Sequence, residues 1–130
     1  MREPSRRLRG ALVIGVLVSA LAVSSLRASA HHGWGGNEDK ISEMTGIVES
    51  SVSLAGPHAT MKINAGGHLW DLTLAPPART SAAGLKEGAI PVGATVKVHG
   101  NRNRDPKRFE MKVSRLTWDG KVFNVYPDRD

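Results

Sequence analysis

The segment Ala59-Thr60-Met61-Lys62-Ile63-Asn64-Ala65-Gly66-Gly67-His68-Leu69-Trp70-Asp71-Leu72-Thr73-Leu74 holds two runs of alternating apolar and polar residues around a Gly-Gly pair. Met61 and Ile63 share one side of the first run, and Trp70, Leu72 and Leu74 share one side of the second. A two-residue period is that of a strand with one buried face. Glycine accepts the positive φ angles of a tight hairpin loop. With Gly66-Gly67 as the loop, Met61 pairs with Leu72 and Ile63 with Trp70, so the apolar side chains of both strands fall on the same face.

The same period continues on either side. Upstream, Val48, Val52 and Leu54 oppose Glu49, Ser51 and Ser53, and the run ends at Gly56-Pro57 because proline cannot donate to a sheet ladder. Downstream, Ala75-Pro76-Pro77 breaks the sheet. The alanines and Leu85 between Ala78 and Lys86 predict one or two helical turns, weakened at the end by Gly84. Ala94, Val96 and Val98 then mark a fourth strand, and Phe109, Met111 and Val113 a fifth. Leu116 and Trp118 fall out of parity with those residues, which predicts a bulge near Ser114-Arg115. Asp119-Gly120 is a hairpin turn before a short last strand, Lys121 to Tyr126. The fold class expected is mainly β: an OB-like small barrel of five to six strands with one short helix between strands 3 and 4. A β-sandwich needs about seven strands, more than the pattern supplies.

The first thirty residues have a different character. Arg2, Arg6, Arg7 and Arg9 precede an unbroken run of small and apolar residues from Ala11 to Val23, and Ala28-Ser29-Ala30 follows. A basic start, a short apolar middle and an A-x-A exit are the parts of a signal peptide. The run is shorter than the roughly 20 residues of a bilayer-spanning helix. Arg9 stands where the twin-arginine signal prefers apolar residues, which favours the general secretory route. The chain therefore divides into a signal peptide (1–30), a flexible His- and Gly-rich arm (31–43) and an OB-like domain (44–130). The protein is expected to be periplasmic or secreted, with no membrane span after cleavage. Cysteine is absent from the sequence, so neither a disulfide nor a lipidated cysteine is available. Five of the 18 Lys+Arg and one of the 12 Asp+Glu lie in the signal, so the formal charge falls from +6 to +2 on its removal. That removes the case for a nucleic-acid partner.

Several short motifs occur together over the mature chain. They are Ala30-His31-His32, Pro57-His58, Trp70-Asp71-Leu72, Pro76-Pro77-Ala78-Arg79, Gly84-Leu85-Lys86-Glu87-Gly88 and Val96-Lys97-Val98-His99-Gly100. In this combination the chain resembles a family of small exported bacterial proteins catalogued as domain of unknown function 6152. The resemblance implies an exported OB-like domain and carries no catalytic residue with it. Gly56 departs from the pattern, since the family usually has Asn before the Pro-His pair.

Cleavage after Ala30 would leave a free α-amine on His31. An amine with a pKa of about 8 and the imidazole of the same residue can chelate one metal ion. A third nitrogen would complete a site favouring Cu(II), the strongest binder of the divalent series. The metal candidates are His31, His32 and His58, with copper as the ion. In the hairpin register His58 lies opposite Ala75 and His68 opposite Ala65, about seven pairs or roughly 23 Å apart, so the two cannot share a metal. His68 and His99 read as ordinary turn and surface histidines. Arg102, Arg104, Lys107 and Arg108 cluster in one loop, and Trp118 and Tyr126 are the aromatics expected to be exposed. Trp34, among glycines, either anchors the arm in a pocket or stays exposed. Asp71 and Thr73 take outer-face positions, and no Ser/His/Asp set or carboxylate pair stands out. The expected function is non-enzymatic binding: a copper-type metal at the mature terminus, or alternatively an envelope protein or anionic ligand in the barrel groove.

Overall fold

The computed structural model describes residues 34–129. The signal peptide, His31 and His32 lie outside the described residues. Six strands follow one another: β1 (Ser42–Ser53), β2 (Thr60–Ala65), β3 (His68–Thr73), β4 (Thr95–Arg102), β5 (Glu110–Trp118) and β6 (Lys121–Asn124). A short helix α1 (Pro77–Ala82) stands between β3 and β4, and a 3-10 turn (Pro127–Arg129) follows β6.

The sheet runs β3-β2-β1-β4-β5-β6, and a parallel β3–β5 pairing closes its first five strands into a barrel. This is the expected OB-like architecture, with β6 as an extra strand on β5. The β2–β3 hairpin has Met61 opposite Leu72 and Ile63 opposite Trp70, with Gly66 and Gly67 at φ +60° and +80°. β1 serves two partners in turn. Its first half, from Ser42 to Ile47, pairs with β4, and Ile47 onward pairs with β2. Gly46 lies where the strand passes from one neighbour towards the other, and a Cβ there would meet the Asn64 carbonyl oxygen at 2.6 Å. The predicted bulge in β5 is at Ser114: Arg115 pairs with His99 and Val113 with Gly100, leaving Ser114 over. Its hydroxyl donates to the His99 carbonyl at 3.0 Å.

The alternating residues fill the barrel. Val48, Val52, Met61, Ile63, Leu72, Leu74, Val96, Val98, Met111, Val113 and Leu116 are buried, with Leu85 and Ile90 plugging one end from the α1–β4 connection. Burial of each such side chain is worth about 1.5–3 kcal/mol against leaving it in water. α1 has the one to two turns expected, and begins one residue earlier, at Pro77. Pro77 sets its first turn, where the missing N–H costs nothing, and Gly84 at φ +102° turns the chain away. Thr80, the buried residue of α1, donates its hydroxyl to the Ala75 carbonyl at 2.8 Å.

Sequence pattern placed residues 31–43 in a flexible arm. The described part of that segment is tied to the barrel. β1 begins two residues early, at Ser42. Asn37 bridges to Asn103, and its side-chain amide donates to the Asn101 carbonyl at 2.8 Å. The buried Asn101 donates in return to the Glu38 carbonyl at 3.0 Å. A polar, glycine-rich segment has no hydrophobic period to reveal such docking, because side-chain amides and backbone groups hold it. Among the described residues no helix is long and apolar enough to cross a membrane.

Candidate functional site

Two groupings of aromatic and cationic side chains stand out, one at the barrel mouth and one on the outer side of β5. At the mouth, Trp70 projects inward from β3 and is 5% exposed, its indole N–H donating to the Ala65 carbonyl at 3.3 Å. The Arg102 guanidinium, from the end of β4, lies over this ring with its carbon 4.6 Å from the centroid. Phe109, just before β5, meets Trp70 edge-on at 5.3 Å. The imidazole of His68 stacks on Phe109 at 4.1 Å, tilted by 10°. Four flat groups thus run in series: imidazole, phenyl, indole, guanidinium. Beside them opens a recess of about 220 Å³, bounded by Ser42, Met44 and Thr45 of β1, the Ala65-Gly66 turn, Trp70 and Arg102.

The charges around the mouth are unequally partnered. Arg104 pairs with Asp39 at 3.4 Å and Arg108 with Glu110 at 3.6 Å. Glu43, at the edge of the recess, pairs with Lys97 at 3.3 Å. Arg102 has no ion-pair partner among the described residues, and its positive charge rests on the indole face alone. Attraction of a cation to an aromatic face is worth about 0.5–2 kcal/mol, increasing as water is excluded. Arg102 is therefore held in place while its in-plane N–H donors stay available.

On the outer side of β5, Trp34 covers Lys112, whose ammonium lies 4.5 Å from the indole centroid. Arg129 caps the same ring at 3.7 Å, and Tyr126 meets it edge-on at 5.2 Å. Arg79 of α1 lies 5.3 Å from the Tyr126 centroid. Burial, with Arg129 adding to it, holds the Lys112 amine below its ordinary value. Burial also raises the Tyr126 phenol, against the opposing pull of Arg79 and Arg129. Trp34 is thus an anchor that pins the start of the described chain to its end.

The expected site residues fall as follows. His58 is half-buried before Ala59, in the β1–β2 connection. Ala59 exchanges backbone hydrogen bonds with Ala75 at 2.9 Å and Leu74 at 2.8 Å, which places His58 at the α1 end of the barrel. Among the described residues, no three His, Asp or Glu side chains gather as a metal site. His31 and His32 lie outside the described residues. The basic loop is flanked by Trp70, Phe109 and His68, and Tyr126 belongs to the separate cluster on β5. Sequence pattern counted Trp70 and Phe109 with the core, as their burial warrants. Their partners Arg102 and His68 come from remote segments, so the stack has no local signature. Asp71 is on the outer face as expected, paired with Lys62 at 3.2 Å. His99 meets the Arg115 guanidinium at 2.7 Å, so it is more than a plain surface histidine.

No family model matches the chain, and no curated relative does. Solved structures match in part. The agmatidine synthetase TiaS, in complex with its tRNA, AMPCPP and agmatine, is 12% identical with a TM-score of 0.48, over 61% of this chain and 18% of that chain. The ZRD-deleted mutant of TiaS with agmatine is 11% identical with a TM-score of 0.49, over 66% of this chain and 26% of that one. The S. pombe Stn1-ten1 complex is 11% identical with a TM-score of 0.45, over 60% and 57%. The matched region is thus about a fifth of the synthetase's length.

Proposed function

We propose that this chain is an exported, non-enzymatic binding module that takes an anionic ligand at the barrel mouth. The observation carrying this reading is Arg102, a guanidinium held on the Trp70 ring, beside an open recess, without a carboxylate partner among the described residues. A planar fork of N–H donors recognises carboxylate or phosphate through paired, charge-assisted hydrogen bonds. A small pre-formed recess with one convergent charged group is the usual form of a ligand site. Export is supported by the basic, apolar and A-x-A succession of residues 1–30.

The test is an NMR titration of the mature protein with inorganic phosphate at low salt, following the Arg102 side chain and the Trp70 indole N–H. Saturable shifts at these two groups that vanish in Arg102→Gln are expected. An unchanged response in that variant would overturn the reading.

A second reading, copper at the mature terminus, is favoured by the sequence: cleavage after Ala30 would leave an amine and an imidazole together on His31. Cu(II) titrated into protein whose His31 terminus is confirmed by intact mass should bind tightly, and a version with one extra N-terminal residue should bind weakly. Equal, weak binding by both would sink the amine–imidazole site.

A further inference from the structure

We infer that the ligand of the mouth is an acidic glycan, gripped by the donor edge of Arg102; this rests on the mouth being the ligand site. Proteins that hold single-stranded nucleic acid offer bare aromatic faces on which bases stack, in a groove of cations that follows the backbone. Neither condition is met here. The Trp70 ring is almost wholly buried and carries Arg102 on its face. Phe109 is half-buried and carries His68 flat against it. A base would have to displace a cation or an imidazole to reach either of these faces.

What faces the ligand is the complement of a stacking platform. A guanidinium stacked on an aromatic ring keeps its N–H groups in its own plane, directed outward from the edge. The exposed imidazole of His68 covers Phe109 at the other end of the series and does not line the recess. Charge in the adjoining loop is also sparse. Arg104 and Arg108 are matched by Asp39 and Glu110, which leaves Lys107 as the exposed loop cation without an ion pair among the described residues. Affinity for a phosphate backbone rests on several unmatched cations at once. One strong fork and a few polar neighbours suit a ligand with an occasional carboxylate among many hydroxyls. The β1 wall supplies those neighbours as Ser42 and Thr45. The recess, at about 220 Å³, is smaller than the roughly 300–1,000 Å³ of pockets for drug-sized molecules, which suits one sugar-ring-sized unit.

Four probes of matched length separate the alternatives in titrations of the mature protein: hexagalacturonate, its methyl ester, hexathymidylate and hexaglutamate. Hexagalacturonate should bind at least tenfold more tightly than the other three. Arg102→Gln should cost it at least tenfold. Arg102→Lys, which keeps the charge without the planar fork, should recover only part of that loss. Thermal unfolding of both variants checks that the barrel is intact. Hexathymidylate or hexaglutamate binding as tightly as hexagalacturonate, with the same dependence on Arg102, would overturn the glycan and leave the mouth standing as an anion site. Arg102-independent binding of every probe would overturn both.

Discussion

Lys112 takes an outward position on β5 between the buried Met111 and Val113, yet it is itself only 6% exposed because Trp34 lies over it. Covering an ammonium costs free energy that water no longer repays, and the face of the indole returns part of it. The consequence is a pH dependence of definite sign. The folded chain releases the Lys112 proton below the ordinary 10.5, so over the window from the lowered value up to 10.5 the unfolded chain holds more protons. Stability contributed by this residue therefore rises with pH through that window and is lowest beneath it. Tyr126 acts the other way: its raised pKa withdraws stability above 10. Lys112→Met keeps the stem and removes the charge. Urea denaturation of the two proteins between pH 7 and 10.5 should show the advantage of the variant shrinking as pH rises, with the Tyr126 contribution common to both. A difference constant with pH would mean that the amine is not desolvated. Nothing in the sequence disclosed this residue, because a lysine alternating with core residues reads as solvent-facing until a remote segment is known to cover it.

The strands themselves were largely legible. A period of two, broken by Gly and Pro, located all six, and the Gly66-Gly67 loop was enough to set the β2–β3 register. The change of parity after Val113 located the bulge, because one extra residue turns every later side chain over. Less legible was the close approach of β4 and β5 opposite that bulge. Gly100 pairs with Val113 there, and a Cβ on it would run into the Lys112 carbonyl. Backbone on both sides leaves no flexible side chain to give way. Gly100→Ala should destabilise the fold by about 1–3 kcal/mol, the usual cost of forcing atoms into filled space. Chemical denaturation measures it, with Gly66→Ala as a comparison, since that site is open and suffers only from its positive φ. In sequence Gly100 reads as part of a Val-x-Val-x-Gly strand, and only the pairing partner explains why nothing larger fits.

Across the whole molecule, the candidate site divides along the same line. Arg102 and the loop beyond it stand out as a basic run, and Trp70 stands out as a strand residue, but their meeting depends on the closure of the sheet. β3 and β5 are joined in parallel, Asp71 beside Glu110, across nearly forty residues of intervening chain. Trp34 then rests on Lys112, Tyr126 and Arg129, so the start of the described chain is held by its end. A polypeptide emerges from the ribosome with its N-terminal end first, and here the first strands find no closed barrel to join until β5 has appeared. Contacts of such long range are slow to form, because loop closure must precede any gain from them. The barrel therefore stays open until β5 has been made. A secretory channel that accepts only extended polypeptide would have that whole interval in which to engage it.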